Sequence, residues 1–165
     1  MSVNDLSSLL WRERELLEML VFKLEEEQLL LTAGRAKWLH HATREVEQVL
    51  GHLRTAGIER TVEASSVAVS WGLSEDATLR QLAERADEAW RDVLLSHLTA
   101  LTALTSQIAD LRDTNLTYLR SATRATQETL ANMGTGPASD PFGYGSRGGQ
   151  RVPAAAGARL FDRQG

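Results

Sequence analysis

Residues 87–133 read DEAWRDVLLSHLTALTALTSQIADLRDTNLTYLRSATRATQETLANM and dictate the fold of this chain. They contain no proline or glycine, and apolar residues recur every three or four positions, as on one face of an α-helix. This stripe consists of Trp90, Leu94, His97, Leu101, Leu104, Ile108, Leu111, Asn115, Tyr118, Ala122, Ala125 and Thr129. A helix of this length would be roughly 70 Å long, which favours an elongated antiparallel bundle or coiled coil over a compact globule.

The stripe changes character along the helix. It is large and aliphatic up to Leu111, and it becomes small and polar after Asn115, where serine, alanine and threonine dominate. We expect this second half to pack weakly against its own chain, which would leave a place where another protein could complete the core. Asn115 itself is interpreted as a polar residue that fixes helix register, and contact with a partner is the alternative.

A leucine-rich helix is predicted over residues 5–33. Asn4 or Asp5 can cap its first amides, and Gly34 is a natural stop. Its leucines form a wide apolar face that should meet a partner helix. A thinner row lies nearly opposite, and it predicts contact with a second neighbour or, alternatively, a docking stripe; this row is Trp11, Phe22 and Leu29.

The segment between these two helices predicts a second long helix over residues 35–71. A break or kink is plausible near Gly57, and Gly72 should end the helix. Ser74 or Asp76 can then cap a short helix that contains two leucines.

Glycine and proline divide the chain into two parts. All three prolines and eight of the twelve glycines lie in the last 32 of the 165 residues. Because proline removes a backbone donor and glycine raises the entropy lost on ordering, we predict a helical body over 1–133 and a flexible, disordered tail over 134–165. The predicted fold class is therefore all-α, an elongated antiparallel helical bundle or coiled coil with a disordered C-terminal tail.

The composition of the chain disfavours some classes of partner. The chain has no cysteine, and its 22 acidic and 18 basic residues give a formal charge of −4. This balance disfavours nucleic acid as a partner, because phosphate binding needs clustered lysine and arginine. The opening residues predict no signal peptide, and no uncharged apolar run approaches the ~20 residues needed to cross a bilayer. We therefore expect a cytoplasmic protein without direct membrane insertion.

No pattern predicts catalysis, a cofactor or a metal site. His40 and His41 are adjacent and point about 100° apart on a helix, so both cannot face one metal ion. His97 lies on the apolar stripe and is interpreted as a core histidine. Neither a phosphate-binding glycine loop nor a serine, histidine and acid set at a known spacing is present, so we expect that the chain is not an enzyme.

Three segments carry a resemblance to a known family. The first helix contains WRERELL at 11–17 and FKLEEEQLLLTAG at 22–34, residues 108–119 read IADLRDTNLTYL, and residues 144–148 read YGSRG after a proline-rich break. In this order and spacing they resemble the FlgN family of flagellar export chaperones, and in particular its actinobacterial members, over residues 1 to about 150.

The resemblance implies partners and sites. Chaperones of this family keep the hook-associated proteins FlgK and FlgL from assembling early and hand them to the export gate protein FlhA. Cargo is held by the C-terminal part of the chaperone, and the residues of this chain at or near that region would be Leu111, Asn115, Tyr118 and Leu119. Docking on the export gate would involve the tail aromatic Tyr144 with its neighbours Phe142 and Gly145.

Three alternatives stay open. A structural coiled coil could dimerise through the last helix without any cargo. An adaptor of another secretion system could use a similar helical scaffold. An all-helical enzyme of the chorismate mutase kind would need basic residues that converge between helices, whereas the stripes here are apolar.

Overall fold

The chain folds entirely into helices wherever its structure is described. The computed structural model describes residues 2–135, with Thr135 described by its backbone alone. Within this range lie four helices and no strand, namely α1 (Val3–Thr32), α2 (Ala36–Ser70), α3 (Leu79–Arg85) and α4 (Glu88–Thr135). The prediction of an all-α fold is confirmed. The predicted tail over 134–165 lies outside the described residues, apart from its first two residues, which belong to α4.

Helices α1 and α2 form an antiparallel hairpin. Arg12 pairs with Glu59 at 3.0 Å and Lys23 pairs with Glu45 at 2.7 Å. Residues later in α1 therefore pair with residues earlier in α2, as in an antiparallel pair. The connection is short because Gly34 adopts φ +65°, a left-handed conformation that side chains other than glycine disfavour. Gly34 therefore ends α1 as predicted.

Helix α4 runs parallel to α1. Ser7 on α1 is hydrogen-bonded to His97 at 3.2 Å, and the backbone oxygen of Leu24 accepts a hydrogen bond from Asn115 at 2.9 Å. Both contacts join residues about ninety positions apart, so the two helices run in the same direction. Since α2 is antiparallel to α1, it is antiparallel to α4 as well. The unit Met1–Ala125, to which these contacts belong, is thus a bundle of three long helices with α3 as a short addition.

The start of α1 differs from the prediction that Asn4 or Asp5 caps it. The cap is Ser2, whose hydroxyl accepts a hydrogen bond from the backbone N–H of Asp5, so α1 begins at Val3. The earlier cap places the Asp5 carboxylate in the first turn, where the helix dipole favours negative charge. The Ser2 hydroxyl also donates a hydrogen bond to the Asp5 carboxylate at 2.8 Å, and this bond lowers the pKa of Asp5 below its ordinary value.

The start of α3 is also corrected. Neither Ser74 nor Asp76 caps it, because their side chains are hydrogen-bonded to each other within the turn that follows α2. The cap is Thr78, which forms a reciprocal capping box with Gln81. Gly72, at φ +75°, lies just past the end of α2 as predicted.

The break suggested near Gly57 is wrong, since α2 is continuous from Ala36 to Ser70. Ion pairs to α1 follow Gly57 within a turn, at Glu59 and Arg60, and the hydroxyl of Thr61 donates to the backbone oxygen of Gly57 at 2.7 Å. These tertiary contacts outweigh the low helix propensity of one glycine, which costs about 1 kcal/mol relative to alanine.

The core has a large and a small part. The larger cluster joins all four helices and comprises Leu6, Leu10, Val67, Ala68, Leu82, Ala83, Ala86 and Leu94. The smaller cluster has Leu20, Leu24 and Val49 at its centre, with Ile108 and Leu111 of α4 packed against it. Because each fully buried leucine contributes roughly 2 kcal/mol, the first half of α4 is held far more strongly than the part near Leu111.

Candidate functional site

The four residues predicted at the cargo region lie along α4 where its packing ends. Leu111 is half-buried against the smaller core cluster, and Asn115 is buried at 3% exposure. One turn later, Tyr118 and Leu119 are exposed at 41% and 42%. The structure therefore places two of the four residues inside the bundle and two on its surface.

Asn115 is the last residue of α4, among those described, whose side chain is buried. Its amide nitrogen donates to the backbone oxygen of Leu24 at 2.9 Å and approaches a carboxylate oxygen of Glu27 at 3.5 Å. Its amide oxygen is buried and has no hydrogen-bond partner among the described residues. Since a buried polar group without a partner costs about 1–3 kcal/mol, Asn115 fixes the position of α4 on α1 at some expense in stability.

Beyond Asn115 the side chains of α4 are exposed at every position from 116 to 134. Within the first unit the large apolar residues of this surface are Leu116, Tyr118 and Leu119. In the second unit, Leu130 and Met133 are exposed at 64% and 76%. The weak packing expected from the small and polar stripe is confirmed for the residues described.

Two threonine hydroxyl groups of this region are hydrogen-bonded to their own helix. Thr117 donates to the backbone oxygen of Asp113 at 3.0 Å, and Thr123 donates to that of Leu119 at 2.9 Å. Threonine commonly makes such bonds to its own helix. This stretch presents exposed apolar side chains among small and polar ones.

A second polar feature lies in the strongly packed half of the bundle. His97 is buried at 1% exposure, shares a hydrogen bond with buried Ser7, and meets the Trp11 ring edge-on at 5.1 Å. Burial lowers the pKa of His97 below its ordinary value, and the positive charge of Arg14 lowers it further. The sequence prediction of a core histidine agrees with this position.

One member of the opposite row on α1 contacts the predicted second neighbour, which is α4. Trp11 reaches His97, but Phe22 and Leu29 are exposed. Leu29 instead borders a groove of about 340 Å³ at the hairpin end, together with Leu30, Trp38 and Ala42. Trp38, near the start of α2, is half-exposed.

One lysine and two carboxylates form hydrogen bonds beside this groove. Lys23 donates to Glu45 at 2.7 Å and to Glu26 at 2.9 Å, and these hydrogen bonds raise the pKa of Lys23. Both carboxylates lie at the rim of the groove. The lysine thus ties α2 to α1 near the turn.

The predicted export-gate residues Tyr144, Phe142 and Gly145 lie outside the described residues. Among residues 2–135, no three side chains of the kinds that bind metal ions are grouped together. None of the helices described has both the length and the apolar character required to span a bilayer.

Comparison with known proteins gives one match. No curated protein and no solved structure is significantly similar to the chain. A model of the family described as FlgN protein matches residues 1–151, which agrees with the resemblance predicted over residues 1 to about 150. Because the match covers most of the 165 residues, the chain belongs to the FlgN family, a non-enzymatic family of flagellar export chaperones that bind hook-associated proteins.

Proposed function

We propose that this chain binds FlgK and FlgL in the cytoplasm and delivers them to the export gate protein FlhA, with no chemistry of its own. The observation that carries the proposal is the exposure of α4 from residue 116 onward. Leu116, Tyr118 and Leu119 expose apolar side chains at the start of this stretch, and such a surface can bind an amphipathic helix from another protein.

Tyr118 and Leu119 are the proposed direct contacts to cargo. Both are exposed and lie within one turn of Asn115, on the part of α4 that has left the core. Tyrosine suits this role because its ring gives a large contact area with only two torsions to immobilise. Leu116 lies three residues before Leu119 and so on the same side of α4, where it adds to the apolar area beside Leu119.

Leu111 and Asn115 have a supporting role in this proposal. They hold α4 against α1 directly before the exposed stretch, through the smaller core cluster and the hydrogen bond to Leu24. Cargo that binds beyond Asn115 would therefore meet a helix whose direction is already set. This lowers the entropy lost on binding.

The contact with FlhA is assigned to the tail, around Tyr144 with Phe142 and Gly145. This assignment rests on the family resemblance and on the separation in sequence between the tail and the cargo surface. Separate contacts would allow the chaperone to hold cargo and reach the gate at the same time.

The proposal is tested by calorimetry of the full chain with purified FlgK and FlgL from the same source. One-to-one binding is expected for the wild type. The double variant Tyr118→Ala/Leu119→Ala should bind at least about tenfold more weakly, because loss of an anchor side chain costs more than about 1.4 kcal/mol. Tyr144→Ala should bind cargo normally and fail in export, because the proposed gate contact is separate.

Val93→Ala is the matched control. Val93 is a similarly exposed apolar residue on the same helix, but it lies in the half that packs into the larger cluster. Its truncation should leave cargo affinity unchanged. If neither FlgK nor FlgL binds the wild type, the proposal fails, and a coiled-coil dimer or an adaptor of another secretion system becomes the better account.

A further inference from the structure

A small pocket lies between α1 and α4, in the half of the bundle that packs into the larger core cluster. Its volume is about 340 Å³, and two residues of α1 and four of α4 line it, namely Trp11, Arg14, Asp92, Val93, Ser96 and His97. Among the described residues, its polar side chains form no hydrogen bond or ion pair with one another. Polar groups that converge on a partly apolar pocket without satisfying each other are typical of a ligand site.

Arg14 is the charge that distinguishes this pocket from the rest of the surface. Among the arginines at positions 2–135, only Arg14 and Arg60 are not exposed. Arg60 pairs with Glu13, whereas Arg14 has no ion pair or hydrogen bond with any described residue, and its Nε is buried. Burial removes water that would otherwise solvate the charge, so a partly buried guanidinium without an anion is unfavourable. Arg14 therefore lacks the carboxylate that Arg60 has.

The guanidinium of Arg14 is held in place by Trp11. It lies 4.2 Å from the centroid of the indole ring, the arrangement of a cation–π contact. Trp11 in turn contacts His97 edge-on, with 5.1 Å between the ring centroids. A guanidinium that stacks on an aromatic face keeps the N–H groups at its edge for planar, bidentate contact with a carboxylate. Because Arg14 is oriented before a ligand arrives, less entropy is lost on binding.

The charge of Arg14 also acts on the interior of the bundle. Burial lowers the pKa of His97, and the positive charge of Arg14 lowers it further. The Nδ1 atom of the same ring is buried and has no hydrogen-bond partner among the described residues. A carboxylate paired with Arg14 would neutralise the positive charge beside this ring. The electrostatics of the pocket wall therefore favour an anion.

Asp92 opposes an anion only weakly. Its side chain is exposed, and no ion pair joins it to Arg14. Water and salt therefore screen its charge, whereas a bound cation would lie beside the less exposed charge of Arg14. The remaining wall is apolar and can be reached, since Trp11 is exposed at 52% and Val93 at 36%. A ligand that fits both parts of the wall carries an apolar group beside its negative charge.

From these observations we propose that the pocket between α1 and α4 binds a carboxylate attached to an apolar group. Arg14 pairs with the carboxylate, and Trp11 and Val93 contact the apolar group. A volume of about 340 Å³ suits one side chain or a small organic acid. The pocket is separate from the cargo surface proposed on α4, so it gives the chain a second ligand.

The test uses N-acetyl-leucine and its neutral twin N-acetyl-leucinamide, which differ only in carboxylate against carboxamide. Each is titrated into the full chain while NMR follows the indole N–H signals of the four tryptophans. We expect the Trp11 signal to shift saturably with the acid, with a Kd below about 10 mM for a ligand of this size. The amide should bind at least about tenfold more weakly, as for the loss of a close charge pair. Trp38, Trp71 and Trp90 lie outside the pocket, and their signals should stay in place.

Three variants locate the bound carboxylate. Arg14→Gln should weaken binding of the acid at least about tenfold and leave binding of the amide unchanged. Arg12→Gln is the matched control, because it removes the same charge two residues away and outside the pocket. Asp92→Asn should strengthen binding of the acid, since it removes a like charge from the wall. Circular dichroism verifies that each variant keeps its helix content.

Two further probes distinguish the source of the carboxylate. They are the capped peptide acetyl-Ala-Glu-Leu-amide, whose carboxylate belongs to a side chain, and its glutamine twin. Tighter binding of the glutamate peptide than of N-acetyl-leucine would assign the pocket to an acidic side chain of another protein. The opposite order would assign it to a free acid or to the end of a chain.

Three results would overturn the proposal. They are the absence of a saturable shift of the Trp11 signal with every carboxylate probe, equal binding of the acid and the amide, and equal affinities of Arg14→Gln and Arg12→Gln for the acid. The last result would show that the acid responds to the overall charge of α1 and not to a contact with Arg14.

Discussion

Protonation of His97 should destabilise the bundle at mildly acid pH. The ring is buried, its Nδ1 has no hydrogen-bond partner among the described residues, and Arg14 adds an unfavourable positive charge nearby. Burial and, after it, Arg14 lower the pKa of His97 in the folded chain, whereas in the unfolded chain it returns to about 6.5. Between these two pKa values the unfolded chain binds more protons than the folded chain.

The sign and size of the effect follow from this difference. A depressed folded pKa gives full stability above the unfolded pKa and a loss as pH falls towards the folded pKa. With at most one proton involved, the free energy of unfolding should decrease by up to about 1.4 kcal/mol per pH unit below about pH 6.5. Denaturant unfolding followed by circular dichroism, repeated from about pH 8 to about pH 5, measures this slope.

Two variants isolate the contribution of His97. In His97→Gln the slope should be smaller, and carboxylates that titrate in the same range cancel when the two chains are compared. His52→Gln, which removes an exposed histidine from α2, is the matched control. Parallel losses of stability in wild type and His97→Gln would refute the reasoning, because the pH dependence would then arise elsewhere.

The other predictions concern single packing positions, and each is measured as the change in free energy of unfolding. Asn115→Leu should stabilise the chain by roughly 1 kcal/mol, since it removes a buried amide oxygen without a partner; a loss of stability would show that the hydrogen bond to Leu24 outweighs that oxygen. Gly57→Ala should stabilise by about 0.5–1 kcal/mol because the new methyl group meets open space, whereas Gly34→Ala should destabilise because of its positive φ. Leu94→Ala, at a fully buried position, should cost about 2–5 kcal/mol, and a cost below 1 kcal/mol would contradict the assignment of the larger cluster as the main core.

Much of the fold was predictable because helix patterns are long and regular. The stripe of α4 and the stops at Gly34 and Gly72 follow from local physics, and all are present in the structure. The caps of α1 and α3 were wrong because several serine, asparagine and aspartate residues stood near each start. Which of them caps a helix depends on side-chain pairs such as Thr78 with Gln81, which only the folded turn brings together.

The candidate site was less predictable than the fold. The change in the stripe after Asn115 indicated weak packing, but it could not separate buried Asn115 from exposed Tyr118, since both lie on the same stripe. That distinction depends on where α1 and α2 stop supporting α4, which is a property of three helices together. The exposure of Ile58 and Val62 was not predicted, because both are typical core residues in sequence and exposure shows only in the assembled bundle.

The two halves of α4 meet opposite requirements. The first half carries leucines that hold the bundle together. If leucines continued past Asn115, they would form an exposed apolar stripe that could bind any coiled-coil partner, including a second copy. Alanine, serine and threonine in that stretch limit the large apolar side chains of the first unit beyond Asn115 to Leu116, Tyr118 and Leu119. A stable dimer needs about 800 Å² per partner, which so short a cluster supplies poorly. An incomplete helical surface of this kind therefore discriminates against self-association and favours a partner that brings most of the apolar area itself.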